Sequence, residues 1–308
     1  MTSLGWWGVP LAVLGGAIRV STPFLFVSLG ECITEKSGRV NLGQEGTLVM
    51  GAMSGYAISY LTGSPWLGVL VAGAIGAGMG LLHAVICNRP RVNSVAVGIA
   101  LMLFGIGLAA YLGKPFIQPA APQLPAISFG AWSAIEQVRA ALNVNVLFVI
   151  GVLLVPVLAW IMKYTRWGLI LRLAGESTDA AAAMGYSVNR IRTIATAVGG
   201  VLAGIGGSYL SLYYPGSWNE GISSGQGLMA VALVIFAKWD PVRCLWASLL
   251  FGGAGSLGVA LQGQSLISTA SAYLWNAAPY VLTLIIMIMT SSRARAMAGA
   301  PAELGTVR

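Results

Sequence analysis

The sequence predicts an all-α, polytopic membrane protein, and three observations carry that prediction. Of the 308 residues, 57% are hydrophobic and only 8% charged, and mean hydropathy is +0.81, far outside the usage of soluble globular chains. Apolar windows of the roughly 20 residues that a spanning helix requires recur from one end of the chain to the other. The 17 Lys and Arg residues fall almost entirely in alternate loops.

Nine spans are expected, at 8–30, 46–62, 66–87, 94–113, 144–162, 193–214, 226–238, 243–262 and 269–290, the seventh being short. The first has no basic segment ahead of it and carries Arg19 midway, which argues for a retained span rather than a cleaved leader. With the N-terminus outside and the C-terminus inside, fourteen basic residues lie on the cytoplasmic side, among them Lys36, Arg39, Lys163, Arg166, Arg172, Arg190 and Arg192. Only Lys114 and Arg139 lie outside. The net charge of +8 therefore expresses topology, and no loop combines a basic cluster with base-stacking aromatics, so no nucleic-acid partner is expected.

The whole chain, 1–308, reads as one transmembrane domain with a cytoplasmic tail at 291–308. Gly73, Gly76 and Gly80 in the third span, Gly200, Gly204 and Gly207 in the sixth, and Gly252 with Ser256 in the eighth give helix faces on which backbones approach closely. The outer segment 114–143 begins with four prolines that enforce extension, after which AWSAIEQVRAAL has the pattern of an interfacial helix. Gly43-Gln44-Glu45-Gly46 and Gly225-Gln226-Gly227 echo one another at the starts of the second and seventh spans. In this topology they lie on opposite faces, as the two halves of an inverted repeat would place them.

The inner segment 163–192 interrupts the apolar chain with charge. Ser177 or Thr178 is placed to cap a two-turn helix, Asp179 suits its positive end, Ala180 to Ala183 propagate it, Met184 ends it and Gly185 permits a left-handed stop. Arg172, Glu176, Arg190 and Arg192 supply a polar rim. Such a helix between two lipid-embedded spans is fitted to dock a partner in water.

Nothing in the chain is equipped for covalent chemistry. There is no HExxH and no Gly-x-Ser-x-Gly elbow with a histidine partner; His83 is the single histidine and reads as a packing residue. Gly113-Lys114 is followed by Pro115, so no P-loop exists in this chain. Cys32, Cys87 and Cys244 show no CxxC spacing, so no zinc site or disulfide is expected. An intramembrane enzyme therefore lacks its nucleophile, and an ion-coupled secondary transporter has no use for a capped inner helix.

Three segments resemble the membrane permeases of ABC importers for branched-chain amino acids, simple sugars and nucleosides. GECITEKSGRVNLGQEGTLVMGA (Gly30 to Ala52) is similar to the nucleoside-type signature. GLILRLAGESTDAAAAMGYSVNRIR (Gly168 to Arg192) resembles the coupling-helix loop, and GLMAVALVIFAKWDPVRCLWASLLFGG (Gly227 to Gly253) a third family segment. The resemblance implies a type II importer fold and a second permease, usually a different chain though a homodimer stays open. It also implies two ATPase subunits that bind ATP and magnesium, and an extracytoplasmic substrate-binding protein. No cofactor is expected in this chain. Family members with ten spans place the coupling loop after the sixth, whereas here it follows the fifth. Expected pathway residues are Asn41, Gln44 and Glu45 at the inner end of the second span and Trp218, Asn219 and Glu220 before the seventh, with Tyr213, Tyr214 and Trp275 as stacking candidates. For Glu45 an ion pair with Lys36 or Arg39 is an equal alternative.

Overall fold

The computed structural model describes residues 8–117, 119–263, 275, 277–289 and 299–306. It is mostly helical: α1 (Gly8–Lys36), α2 (Gln44–Thr62), α3 (Pro65–Cys87), α4 (Ser94–Gly113), α5 (Glu136–Ala141), α6 (Val146–Tyr164), α7 (Arg166–Glu176), α8 (Thr178–Ala183), α9 (Val188–Leu212), α10 (Gln226–Phe236), α11 (Pro241–Gly263) and α12 (Ala278–Met289). Local sequence sets many of the ends. Pro65 opens α3, the Asn93 side chain accepts from the Val95 and Ala96 amides at the start of α4, the Asn145 side chain accepts from Leu147 at the start of α6, and Gly63 (φ 74°) closes α2.

Among the described residues six helices are long and apolar enough to cross a bilayer: α1, α3, α4, α6, α9 and α11. α2 has 19 residues but carries Gln44, Glu45, Thr47, Ser54 and Ser59, and nearly all of it is buried among other helices. The expected ninth span, 269–290, lies partly outside the described residues.

α9 is the pillar of the fold. It packs against α1, α2 and α3, and its glycines admit their backbones: a methyl group on Gly200 would strike the Gly76 carbonyl oxygen, on Gly204 that of Ala72, and on Gly207 that of Leu48. Of the glycines marked in the sequence, Gly76, Gly80, Gly200, Gly204, Gly207 and Gly252 are thus sites of backbone contact, while Gly73 faces the Ile205 and Val201 side chains. α11 lies along α1, with Gly252 seated on Ala17 and Ser21.

Three expectations are corrected. The outer segment 114–143 has the extended start that was expected, but the helix expected over residues 131–142 shortens to α5, and Ala126–Ser128 and Asn143–Asn145 flank it as a two-stranded antiparallel ribbon, β1 and β2. The prolines explain this, because they hold the segment extended until Tyr56 Oη and Ser59 Oγ donate to the carbonyls of Pro119 and Pro122. The inner segment 163–192 contains a further helix, α7, capped by Thr165 Oγ1, which accepts from the Gly168 amide.

The third correction concerns α10. Its 11 residues extend only about 16 Å at 1.5 Å per residue, half of the ~30 Å hydrocarbon thickness. Its first turn contacts Glu45 at the start of α2, and just past its end the Trp239 indole N–H donates to Glu35 near the inner end of α1. α10 is therefore too short to cross a bilayer by itself and is held between the start of α2 and the C-terminal end of α1. Gly43–Gly46 and Gly225–Gly227 meet: the Gly225 and Gly227 amides both donate to Glu45, and Gly227 lies against the Glu45 backbone.

Candidate functional site

Two regions gather the residues singled out by the sequence. The first is the surface built by α7, α8 and the start of α9. Ser177 Oγ accepts from the Ala180 amide (3.2 Å), so Ser177 rather than Thr178 is the cap. At the other end the Gly185 amide donates to Ala182 O (2.9 Å) and the Tyr186 amide to Ala181 O (3.0 Å), with Gly185 at φ 82°. That pair of bonds closes the helix in the Schellman pattern, which needs a left-handed residue where Gly185 stands. Of the six α8 residues only Ala181 is buried. Asp179, Ala182, Ala183, Met184, Gly185 and Tyr186 are exposed, Met184 at 64%, giving a smooth apolar knob with one carboxylate.

Arg172 and Glu176 belong to α7, not to the rim of α8. Both are exposed, and Arg172 Nε donates to Gly168 O within its own helix. Arg190 is exposed at the start of α9. Arg192 is half-buried and donates to Ser37 O (3.0 Å) and Ala174 O (3.3 Å), so it ties α9 to the inner end of α1 and to α7.

The second region is a buried polar hub where α1, α2 and α10 meet. Glu31 Oε1 accepts from the Asn41 amide (2.7 Å) and Glu31 Oε2 from Gln44 Nε2 (2.7 Å), while Asn41 Oδ1 accepts from the Gly43 amide. Asn41 and Gln44 are thereby consumed in turning the chain from α1 into α2, although Gln44 Oε1 is left with no partner among the described residues. The neighbouring Gln226 Oε1, on the first turn of α10, is likewise unsatisfied.

Glu45 pairs with neither expected cation. Its carboxylate accepts from Ser223 Oγ (2.5 Å), the Gly225 amide (3.0 Å) and the Gly227 amide (2.6 Å), which makes it the cap of α10. Lys36 instead donates to Gly299 O. Arg39 spends its guanidinium on Asn88 Oδ1 and the carbonyls of Ala84 and Cys87; burial, reinforced by Arg192 nearby, pushes its pKa below the ordinary value.

The remaining candidates separate by exposure. Trp218 is 1% exposed and its indole N–H donates to Gly113 O (3.0 Å), so it locks the end of α4 and offers no face to a solute. Asn219 and Glu220 are exposed. Tyr213 is half-buried, its hydroxyl 3.5 Å from Asn143 O and its ring 5.3 Å from that of Tyr209; Tyr214 is also half-buried, and Trp275 is exposed. His83 is buried beside Ser94 O and Cys87, as a packing histidine would be, and all three cysteines are free and buried.

Glu31, Glu35, Ser223 and Gln226 went unmarked as site residues in the sequence. A signal existed for the first two: the chain has only nine acidic residues, and two of them stand one turn apart in an apolar helix, where carboxylates persist only if satisfied.

Comparison with known proteins agrees with this architecture. Over 301 residues the chain is 31% identical to the nucleoside ABC transporter permease protein NupC of Lactococcus lactis subsp. cremoris, covering 92% of this chain and 93% of that one. Over 303 residues it is 28% identical to the guanosine ABC transporter permease protein NupQ of Bacillus subtilis, with 92% and 93% covered. A Haloferax volcanii protein named provisionally as a glucose ABC transporter permease, TsgC13, is 33% identical over 259 residues, 82% of this chain and 79% of that one. Residues 6–291 match the family described as branched-chain amino acid transport system / permease component, and the chain belongs to that family.

Proposed function

We propose that this chain is the permease subunit of an ATP-driven importer for nucleosides or related small polar solutes. The observation that carries the reading is α8: a helix capped at one end, closed at the other, and offered outward on the face that collects the basic residues. Two ATPase subunits, holding ATP and magnesium, would seat α8 and drive alternating access, a second permease would complete the passage, and an extracytoplasmic binding protein would deliver the cargo. The N-terminus is assigned to the outside and the tail to the cytoplasm of a bacterial inner membrane, with nine passages of which α10 is incomplete. Asn219, Glu220, Tyr213 and Tyr214 line the outer approach in this reading, and the unsatisfied amide oxygens of Gln44 and Gln226 offer acceptors deeper in.

The glucose assignment of the Haloferax relative makes a simple sugar the second cargo to test. The chain is co-expressed with its ATPase, second permease and binding protein, and the complex is reconstituted in vesicles. Nucleoside with binding protein is expected to stimulate ATP hydrolysis, and deletion of 178–184 to abolish that stimulation. Stimulation by glucose alone would transfer the cargo to sugars. A chain that purifies without an ATPase and moves solute on an ion gradient would end the reading.

A further inference from the structure

We infer that the C-terminal segment 299–306 is a strap that fixes α8 to the inner ends of α1 and α9, with Glu303 as its positioning residue. The inference rests on the reading of α8 as the helix that docks the ATPase. Taken alone α8 is weakly anchored, because only Ala181 is buried and a single residue, Ser177, joins it to α7. A push on such a helix would be absorbed by bending at that joint.

Glu303 closes the gap. Its Oε1 accepts from both the amide (3.1 Å) and the Oγ1 hydroxyl (3.2 Å) of Thr178, the first residue of α8. Its Oε2 pairs with Arg192 Nη2 at 3.5 Å, in the first turns of α9, and Arg192 is itself bound to Ser37 O and Ala174 O. One carboxylate thus joins α8 to α9 directly and to α1 and α7 through one further side chain.

The strap has its own anchorage. Lys36 Nζ donates to Gly299 O (3.0 Å), Pro301 is buried, and Ala300 and Leu304 pack on the apolar core. Gly38 (φ 86°) leaves room for it: a methyl group there would lie 2.9 Å from Glu303 Cβ and 2.8 Å from Arg192 Nη2. The Arg192 and Glu303 side chains are only 15% and 20% exposed, so water screens their attraction less than at an open surface. Displacement of α8 therefore reaches α1 and α9, the two helices against which α2, α10 and α11 are packed, as one rigid movement.

The test uses the full importer complex in vesicles, with ATP hydrolysis and solute uptake measured in the same preparation and thermal melting recorded for each variant. Glu303→Ala and a chain ending at residue 298 are expected to keep basal hydrolysis and melting near the parent values while uptake per ATP falls roughly three- to ten-fold. Glu303→Gln keeps an acceptor for Thr178 but loses the ion pair, and is expected to fall between. Unchanged uptake per ATP in both Glu303 variants, with deletion of 178–184 still abolishing coupling, overturns the strap and leaves the docking reading intact. Deletion of 178–184 without effect overturns both. Uptake and hydrolysis falling in proportion, with a lowered melting point, reduces Glu303 to a stability role and overturns the inference.

Discussion

A single carboxylate, Glu45, caps the buried start of α10. The first amides of any helix lack intrahelical acceptors, and where they are buried water does not replace them. Glu45 supplies two oxygens to three donors, Ser223 Oγ and the amides of Gly225 and Gly227. Glu45→Gln leaves one acceptor oxygen and points an NH2 group at donors, so at least one buried amide goes unpaired at a cost of about 1–3 kcal/mol. The expected result is a lower melting temperature in detergent together with reduced uptake; melting unchanged from the parent would show that the cap does not hold α10. Glu45 stood out in the sequence as a pathway candidate, but its capping role was not legible, because its partners lie about 180 residues away and contacts of that separation leave no local pattern. Asn41 was different. Its side chain accepts from the amide two residues on, a turn that short-range residue preferences do encode.

At the scale of elements the same division holds. The start and stop of α8 were readable because both depend on neighbours: a hydroxyl three residues before an amide, and a residue able to take positive φ. Ser177→Ala is accordingly expected to remove about 1 kcal/mol from α8, seen as faster amide hydrogen exchange across 178–184 with no change in the spans; unchanged exchange would mean that Glu303 alone holds the helix start. α7 escaped notice although Thr165 before Gly168 offered the same kind of cap. Its Trp, Leu and Arg mixture follows neither the lipid pattern nor that of a water-facing loop. α10 was read as a short seventh span, and its 11 residues are indeed fewer than cross a bilayer unaided. The glycines of α9 were read correctly as packing sites. Gly204→Ala sets a methyl against the Ala72 carbonyl, and overpacking of this kind costs about 1–3 kcal/mol; a loss of folded yield and melting temperature is expected, whereas Gly78→Ala, with open space around it, is expected to be silent.

Over the whole molecule, the distribution of charge and the contacts between helix ends describe the same two faces. The end of α1 touches the tail at Gly299, the end of α3 reaches the start of α9 through Asn88 and Thr193, and α7 and α8 lie beside them. At the opposite ends, Trp218 closes on Gly113, the Leu124 amide donates to Leu212 O, and the proline-rich segment covers the end of α2. Lys36, Arg39, Arg166, Arg172, Arg190 and Arg192 belong to the first face, Lys114 and Arg139 to the second. In the proposed orientation the first face is cytoplasmic, and that proposal is open to a direct experiment because the three native thiols are buried. Trp132, 79% exposed in the outer segment, and Met184, 64% exposed at the end of α8, are replaced singly by Cys in intact cells. A membrane-impermeant maleimide is expected to label the Trp132→Cys variant at once and the Met184→Cys variant only after the membrane is opened. Co-expression of the ATPase should then protect the Met184→Cys variant in opened membranes and leave the Trp132→Cys variant unaffected, since only the first lies where the ATPase is proposed to seat. Labelling in the reverse order would invert the topology and place α8 beyond the reach of any cytoplasmic ATPase.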